Sequence, residues 1–587
     1  MAEEGLPDAR SLRAFWLRLK PFLAERRGTY LGGIFFDLLT LSTTLAYPQM
    51  IRIVVDRGIQ QGDMGEVNYW VTIMAGLLVV QSVSTYYRNY LLEIGAQQVS
   101  AAIRGWVFGR VINHELGFFD EQNTGDLTAR LVGDVSQLSH TLQLLAPQLI
   151  HFGLMGVCAA GLMIYTSPPL AAVVIVIGPI IWFGSSRLGR LLRAQAAEVQ
   201  SRTSTLMSSV IEVLNGILTV RVYHQEAKAS ESYDLSANKL IDAAKQQVRG
   251  HSLLRSFTEL LSEGAVVLAI FVGAVLISSQ NLTAGALVTF ILYATLVMRS
   301  SRNVANAGAE VLRAQGATQR IFELGERQSR MPYIGGIKPD AVEGAVELDA
   351  VSFAYPTRRD AAALQGIKLK IAPGEVVSLV GSSGCGKSTV AKLIARLYEP
   401  DSGRVLLDGR DLGILDTEWL REHITLVPPE ATLFSCSVAD NIRYGKPEAS
   451  DLEVAAAAKV AHADEFIGEL AEGFDTNVGD SGRLFSSGQR QRIAIARAVL
   501  RNPAVLILDE ATAALDSKGE ALVKESLRQL PSKPTIIIVS HRLSTIVDTD
   551  RVIAIQEGEV IAEGKHEDLM SHSDYYRDFV REQLVSE

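Results

Sequence analysis

At 587 residues the chain is too long for one ordinary domain, and 48% hydrophobic residues with a mean hydropathy of +0.17 are more than a soluble protein of this size carries. A net charge of −9 gives no basic footprint and argues against nucleic acid as a partner. The three cysteines, Cys158, Cys385 and Cys436, have the spacing of neither a zinc site nor a disulfide framework, so they read as free thiols.

The chain opens acidic and lacks the basic-then-apolar pattern of a cleavable signal peptide. Residues 10–20 are amphipathic, with Leu12, Phe15, Trp16 and Leu19 on one side, as in a helix lying on a membrane surface. Six stretches then have the length and apolarity of membrane spans: 29–54, 69–92, 141–165, 168–189, 254–278 and 283–305. The links at 165–169 and 278–285 are short and carry no Lys or Arg, and that at 57–68 is short and of mixed charge. Those at 93–140 and 190–253 are long, helical in pattern and rich in Arg. The positive-inside rule puts the N-terminus, both long loops and the C-terminal half in the cytoplasm. Each long loop turns over at a short tip, near Phe118–Asp126 and near Arg221–Glu226. Asp37, Arg88, His151, Glu259, Glu263 and Arg299 are polar residues inside the spans, and Asp37 and Glu263 are the first candidates for a pathway role.

After residue 310 strands and helices alternate. The apolar run Val376–Val380 leads into Gly381-Ser382-Ser383-Gly384-Cys385-Gly386-Lys387-Ser388-Thr389. This is the P-loop pattern: glycines let backbone N–H groups converge on phosphate, Lys387 neutralises β/γ charge, and Ser388 binds magnesium. A second apolar run, Val505–Leu508, ends in Asp509 and Glu510. Asp509 is placed to hold magnesium and Glu510 to polarise an attacking water as general base. A third run, Thr535–Val539, delivers Ser540 and His541 to the same sheet edge, where His541 can reach the γ-phosphate and the base.

The order P-loop, Phe485-Ser486-Ser487-Gly488-Gln489, LILDE, AALD and SH resembles the nucleotide-binding domain of an ABC transporter. With six spans and long loops before it, essentially the whole chain resembles an ABC exporter half-transporter of the multidrug, lipid and peptide exporter type. The resemblance implies a multidomain membrane protein. An all-α six-helix transmembrane domain (29–310, after an interfacial helix in 1–28) leads through a linker (311–343) to an α/β P-loop ATPase domain (344–587). It further implies ATP and Mg2+ as cofactors, with Tyr355 stacking on adenine. Ser486, Gly488 and Gln489 would form a lid over ATP held by a second subunit, and Asp516 would cross the subunit interface. The loop tips would be coupling helices docked in grooves on nucleotide domains. The expected protein is a multi-pass protein of a bacterial inner membrane, with its N-terminus and ATPase in the cytoplasm. It would move an amphipathic or hydrophobic substrate, a small molecule, lipid or peptide, outward through the bilayer. The short segment before the first span leaves no room for a peptide-processing protease.

Two positions depart from the family pattern. Pro429 stands where the family usually has a Gln that touches magnesium and senses the membrane half; it has no side-chain donor and no N–H. Ser487 replaces a Gly of the lid, where an extra side chain, or a backbone angle that favours Gly, would matter. Two assemblies follow: a homodimer with two equivalent sites, favoured because Glu510 and His541 are both present, or a heterodimer with one degenerate site. An ATP-gated regulatory or channel-like protein is the alternative that Pro429 suggests.

Overall fold

The computed structural model describes residues 12–122, 124–327, 329, 331, 335–479, 482–540 and 542–586. The chain divides into two compact units: Met1–Val107 with Ala129–Gly325, and Phe108–Thr128 with Glu326–Glu587. The tip of the first long loop therefore belongs to the second unit, not to the membrane unit that flanks it in sequence.

The first unit is helical. The helix Leu12–Ala24 buries Phe15 and Leu19 while leaving Trp16 half exposed. Among the described residues five helices are long and apolar enough to cross a membrane, and an apolar stretch at Pro168–Ile180 opens the 48-residue helix Pro168–Asn215 where the fourth span is expected. Most of these helices run far past the bilayer: Met64–Val111 has 48 residues and Glu226–Ser278 has 53, about 70–80 Å at 1.5 Å per residue. The last, Ala284–Glu326, runs through the stretch where a linker was expected to begin at 311. It continues because Ala307, Val311, Ala314, Ala317, Ile321 and Phe322 keep one face buried at helical spacing.

Among the intramembrane polar residues, Asp37 is 2% exposed and its carboxylate lies 2.8 Å from His151 Nδ1 and 3.4 Å from Arg88 Nη1. The His151 ring is turned so that Nδ1 is not aligned for a hydrogen bond to it. Asp37 is thus committed to tying three helical segments together. Glu263 and Arg299 are exposed, and Glu259 pairs with Arg255 at 3.1 Å on an exposed surface.

The second unit carries two sheets. β1 (Val346–Phe353), β2 (Leu364–Ile371), β4 (Ser402–Leu407) and β5 (Arg410–Asp411) form an antiparallel sheet in the order β2-β1-β4-β5. The other sheet has the order β10-β9-β3-β8-β7-β6, from β3 (Val376–Val380), β6 (Ile424–Val427), β7 (Val505–Asp509), β8 (Thr535–Val539), β9 (Arg551–Gln556) and β10 (Glu559–Gly564). β3, β6, β7, β8 and β9 run parallel, so their C-terminal ends meet at one edge. All residues of β3, β7 and β8 are buried, as the unbroken apolar runs require of a sheet covered on both faces.

Candidate functional site

The loop from β3 to the helix Lys387–Ile394 is held open by glycine. Gly381 has φ +146°, and a side chain there would lie 2.1 Å from the Ile555 carbonyl oxygen. Gly386 has φ +111°, and a side chain there would lie 2.6 Å from Leu364 and 2.8 Å from the Ala363 carbonyl oxygen. Ser382, Ser383 and Gly384 form the exposed crest. Lys387 is 7% exposed, and its amine donates to the carbonyl oxygens of Gly381 and Ser382 at 2.8 and 2.9 Å. Cys385 is not a crest residue: it is 5% exposed, packs in the domain core, and its Sγ lies 3.8 Å from the Lys387 amine.

Ser388 donates from Oγ to Asp509 Oδ1 at 2.9 Å, joining the loop after β3 to the end of β7 across the intervening β8. Asp509 is 1% exposed, and burial raises its carboxyl above the usual aspartate range; the Ser388 hydrogen bond works against that rise. Such a carboxylate and hydroxyl suit a hard divalent cation completed by phosphate oxygens and water. Glu510 follows at φ +49°, a left-handed conformation that costs a non-glycine residue about 1–3 kcal/mol. Its N–H donates to the Val539 carbonyl at 3.0 Å, so the bend is pinned by the adjacent strand. His541, expected beside it, lies outside the described residues.

The lid helix spans Ser487–Arg501. Ser486 is its N-cap: Ser486 Oγ accepts from Gln489 N at 3.2 Å, and Gln489 Oε1 accepts from Ser486 N at 2.9 Å. The Gln489 side chain is therefore a structural brace for Ser486. Ser487 is exposed at the first helical position with negative φ, so the backbone angle feared from the sequence does not arise. Gly488 has a steric role, since a side chain there would press within 3.0 Å of the Ala514 carbonyl oxygen. Asp516 caps the next helix, Ser517–Arg528, by accepting from Gly519 N at 3.2 Å, and its side chain is 71% exposed.

Two residues that the motifs did not flag hold this turn in place. Gln491, 4% exposed on the lid helix, donates from Nε2 to the Pro429 carbonyl at 3.1 Å, lies 3.5 Å from the Glu510 carbonyl, and accepts from Ala514 N at 3.1 Å. Arg542 donates to the carbonyls of Ala513 and Leu515 at 2.6 and 3.0 Å, and to Glu520 Oε2 at 2.9 Å. A buried Gln in a helix and an Arg after the Ser-His pair are weak signals alone; their partners are backbone groups far along the chain.

Tyr355 is half-buried beside Phe353 and Tyr398, and its hydroxyl is 3.0 Å from the Thr389 hydroxyl. Tyr398 also donates to Asp120 of the loop-tip helix Leu116–Glu121. Burial first, and Asp120 second, push the Tyr398 phenol up, so it remains a donor. Phe118 is 1% exposed under the Arg327 guanidinium, 4.9 Å from its ring, while Arg327 donates to Glu121 at 2.8 Å. The first loop tip is thus seated beside the nucleotide cradle's aromatic flank.

The family model described as ABC transporter transmembrane region matches residues 30–301, and that described as ABC transporter matches 364–513. The chain is 34% identical over 572 residues to the mouse (Mus musculus) ATP-binding cassette sub-family B member 10, mitochondrial, covering 96% of this chain and 80% of that protein. The chain belongs to the ABC transporter family. This half-transporter is also 33% identical over 577 residues to a Xenopus tropicalis mitochondrial potassium channel ATP-binding subunit, covering 97% and 83% of the two chains. Its fold matches the structure of a bacterial Atm1-family ABC exporter with ATP bound, with a TM-score of 0.83, 27% identity, and coverage of 95% of this chain and 98% of that one. It is an ATP-driven exporter half-transporter, a multi-pass membrane protein whose ATPase works with a partner subunit.

The second loop tip of this ABC half-transporter forms the helix Ile217–Val222, which overlaps the start of the Arg221–Glu226 stretch singled out by pattern. Gly216 ends the preceding long helix, and Leu218, Val222 and Tyr223 of the tip are exposed.

Proposed function

We propose that Gly381–Thr389, Asp509 and Glu510 bind and hydrolyse Mg-ATP. The observation that carries this reading is the 2.9 Å link between Ser388 and Asp509, with Glu510 pinned next to it by Val539. Lys387 would exchange its two carbonyl partners for β- and γ-phosphate oxygens. Ser388 and Asp509 would hold magnesium, which supplies charge neutralisation where the phosphoryl group leaves. Glu510 would orient and deprotonate the attacking water, with His541 steadying it. Tyr355 would stack on the base. Ser486 and Gly488 would close over the γ-phosphate of the partner's ATP, and Asp516 would meet the partner across the interface.

The partner is proposed to be a second copy. Glu510 and a capped lid are both intact, so two copies make two equivalent sites. The exposed apolar face of Ile217–Val222 suits docking on the partner's nucleotide domain. The substrate proposed is amphipathic, a small molecule, lipid or peptide, and the membrane a bacterial inner membrane with the ATPase in the cytoplasm, in keeping with the bacterial exporter it resembles.

The test is purified protein in lipid. Steady ATP hydrolysis lost in Lys387→Ala, and an ATP-bound closed dimer accumulating in Glu510→Gln, are expected. Normal turnover by Glu510→Gln would refute the base, and a mass that requires a different chain would refute the homodimer. A panel of amphipathic compounds identifies the substrate by stimulation.

A further inference from the structure

A trough of about 810 Å³ lies wholly in the membrane unit, between the interfacial helix, the start of the first span and the third span. It falls in the roughly 300–1,000 Å³ range of ligand sites. Its wall is almost entirely apolar, with Trp16, Leu23, Leu31, Ile34, Leu142 and Ile150 facing it. Lys20 and Arg27 are the two cations in its lining. Tyr30 joins them, and its buried hydroxyl has no hydrogen-bond partner.

This combination specifies an occupant. It must be apolar along most of its length, anionic at one end, and able to take a hydrogen bond from a phenol. The amphipathic helix Leu12–Ala24 fixes the depth, because such a helix sits at the boundary of headgroups and acyl chains. At that depth two cations beside an apolar trough match a lipid phosphate above its chains, and Trp16 and Tyr30 are the residue types that favour the same level. We propose that the trough is a binding site for one anionic glycerophospholipid. Its acyl chains fill the apolar wall, and its phosphate lies between Lys20 and Arg27 and accepts from Tyr30. The lipid would splint the interfacial helix to the first and third spans. This site is separate from the ATP site, and its assignment needs only the membrane placement of the chain.

The test uses the full chain. Native mass spectrometry after exchange into equal amounts of phosphatidylglycerol and phosphatidylcholine of matched chains should show the anionic lipid retained roughly tenfold over the neutral one. Lys20→Glu with Arg27→Glu should bring the ratio near unity, and Leu142→Trp should reduce retention of both lipids by filling the trough. A photoreactive p-benzoyl-phenylalanine placed at Leu31 in vesicles of the same lipids should give lipid adducts. Equal retention of the two lipids by the unmodified chain would overturn the proposal. So would a ratio unmoved by charge reversal, or photo-crosslinking of Leu31 to a second copy of the chain.

Discussion

Gln491 donates to the Pro429 carbonyl at 3.1 Å, so the segment that lacks the family's glutamine is held through its backbone by a glutamine from the lid helix. The same side chain receives Ala514 N and lies near the Glu510 carbonyl. One buried carboxamide thus links the helix Ser487–Arg501, the segment after β6, Glu510 and the turn before Asp516. Removing it strands a buried N–H and two carbonyls, at about 1–3 kcal/mol per unsatisfied group, and loosens the placement of Glu510. Gln491→Ala should lower the turnover number of ATP hydrolysis roughly tenfold to a hundredfold, with nucleotide affinity changed far less. Fluorescent-nucleotide titration alongside steady-state kinetics separates the two; unchanged turnover would show that the link is decorative.

Ser487 was the most suspect residue in the lid when judged by pattern alone. In the fold it occupies the first helical turn with negative φ and an exposed side chain. Restoring the family's glycine therefore relieves no strain. Ser487→Gly should leave ATPase activity within about twofold and lower stability by no more than about 1 kcal/mol, the usual cost of a helical glycine. A large gain in turnover would mean that the hydroxyl obstructs the partner's phosphate.

Cys385 lies inside the phosphate loop in sequence but under it in space. A bulky thiol reagent should modify it far more slowly than it does in the denatured chain, and ATP should slow that labelling further by holding the loop closed. Fast labelling insensitive to ATP, followed by peptide mass spectrometry, would contradict the buried placement.

Asp509 carries a pH signature opposite to that of a salt-bridged aspartate. Its folded-state carboxyl is raised by burial above the ordinary value of 3.8. The folded state thus holds the proton more tightly than the unfolded chain, and the contribution to stability is greatest below that ordinary value. It is lost as pH rises through the raised one. Asp509→Asn should therefore raise the melting temperature of the nucleotide-free protein at neutral pH and flatten its fall over that window, while abolishing magnesium-dependent hydrolysis. Thermal melts without nucleotide from acid to neutral pH check the sign.

The loop-tip helix Leu116–Glu121 rests on Tyr398 and Pro356, and a side chain at Gly117 would come within 3.1 Å of Pro356. Gly117→Val should unseat the tip, and Tyr398→Phe should weaken it by removing the donor to Asp120. Hydrogen exchange at residues 116–121 should quicken, roughly tenfold for each 1.4 kcal/mol of lost docking. Exchange at wild-type rates in both variants would show that these contacts do not hold the tip.

The phosphate loop and the Asp509-Glu510 pair were legible because their chemistry is local: a buried strand delivers adjacent residues to a sheet edge, and the strand is visible as an apolar run. The spans were legible because the bilayer imposes length and apolarity. What the sequence did not reveal depends on contacts across the chain. Gln491 and Arg542 act on backbone carbonyls and N–H groups, which leave no residue pattern. Gln489, a ligand-binding candidate by position, also partners Ser486 in a capping box, which position alone does not disclose. The long helix Ala284–Glu326 passed for a linker after 310 because Arg313, Gln315, Gln319, Arg320 and Glu323 stand between its buried residues and lower the hydropathy there.

The seat of the first loop tip also orders events in time. Asp120 and Tyr398 are 278 residues apart in the chain. At about 5–20 residues per second, a ribosome makes the tip roughly 15–55 s before the surface that receives it. For much of that interval Phe118, which ends 1% exposed beneath Arg327, lacks that cover. The membrane helices on either side can insert meanwhile, but the arm they carry stays unfinished until the last domain folds. A nascent chain stalled before β4 is thus expected to display an apolar tip to the cell's quality-control machinery, and completion of the ATPase is the step that hides it.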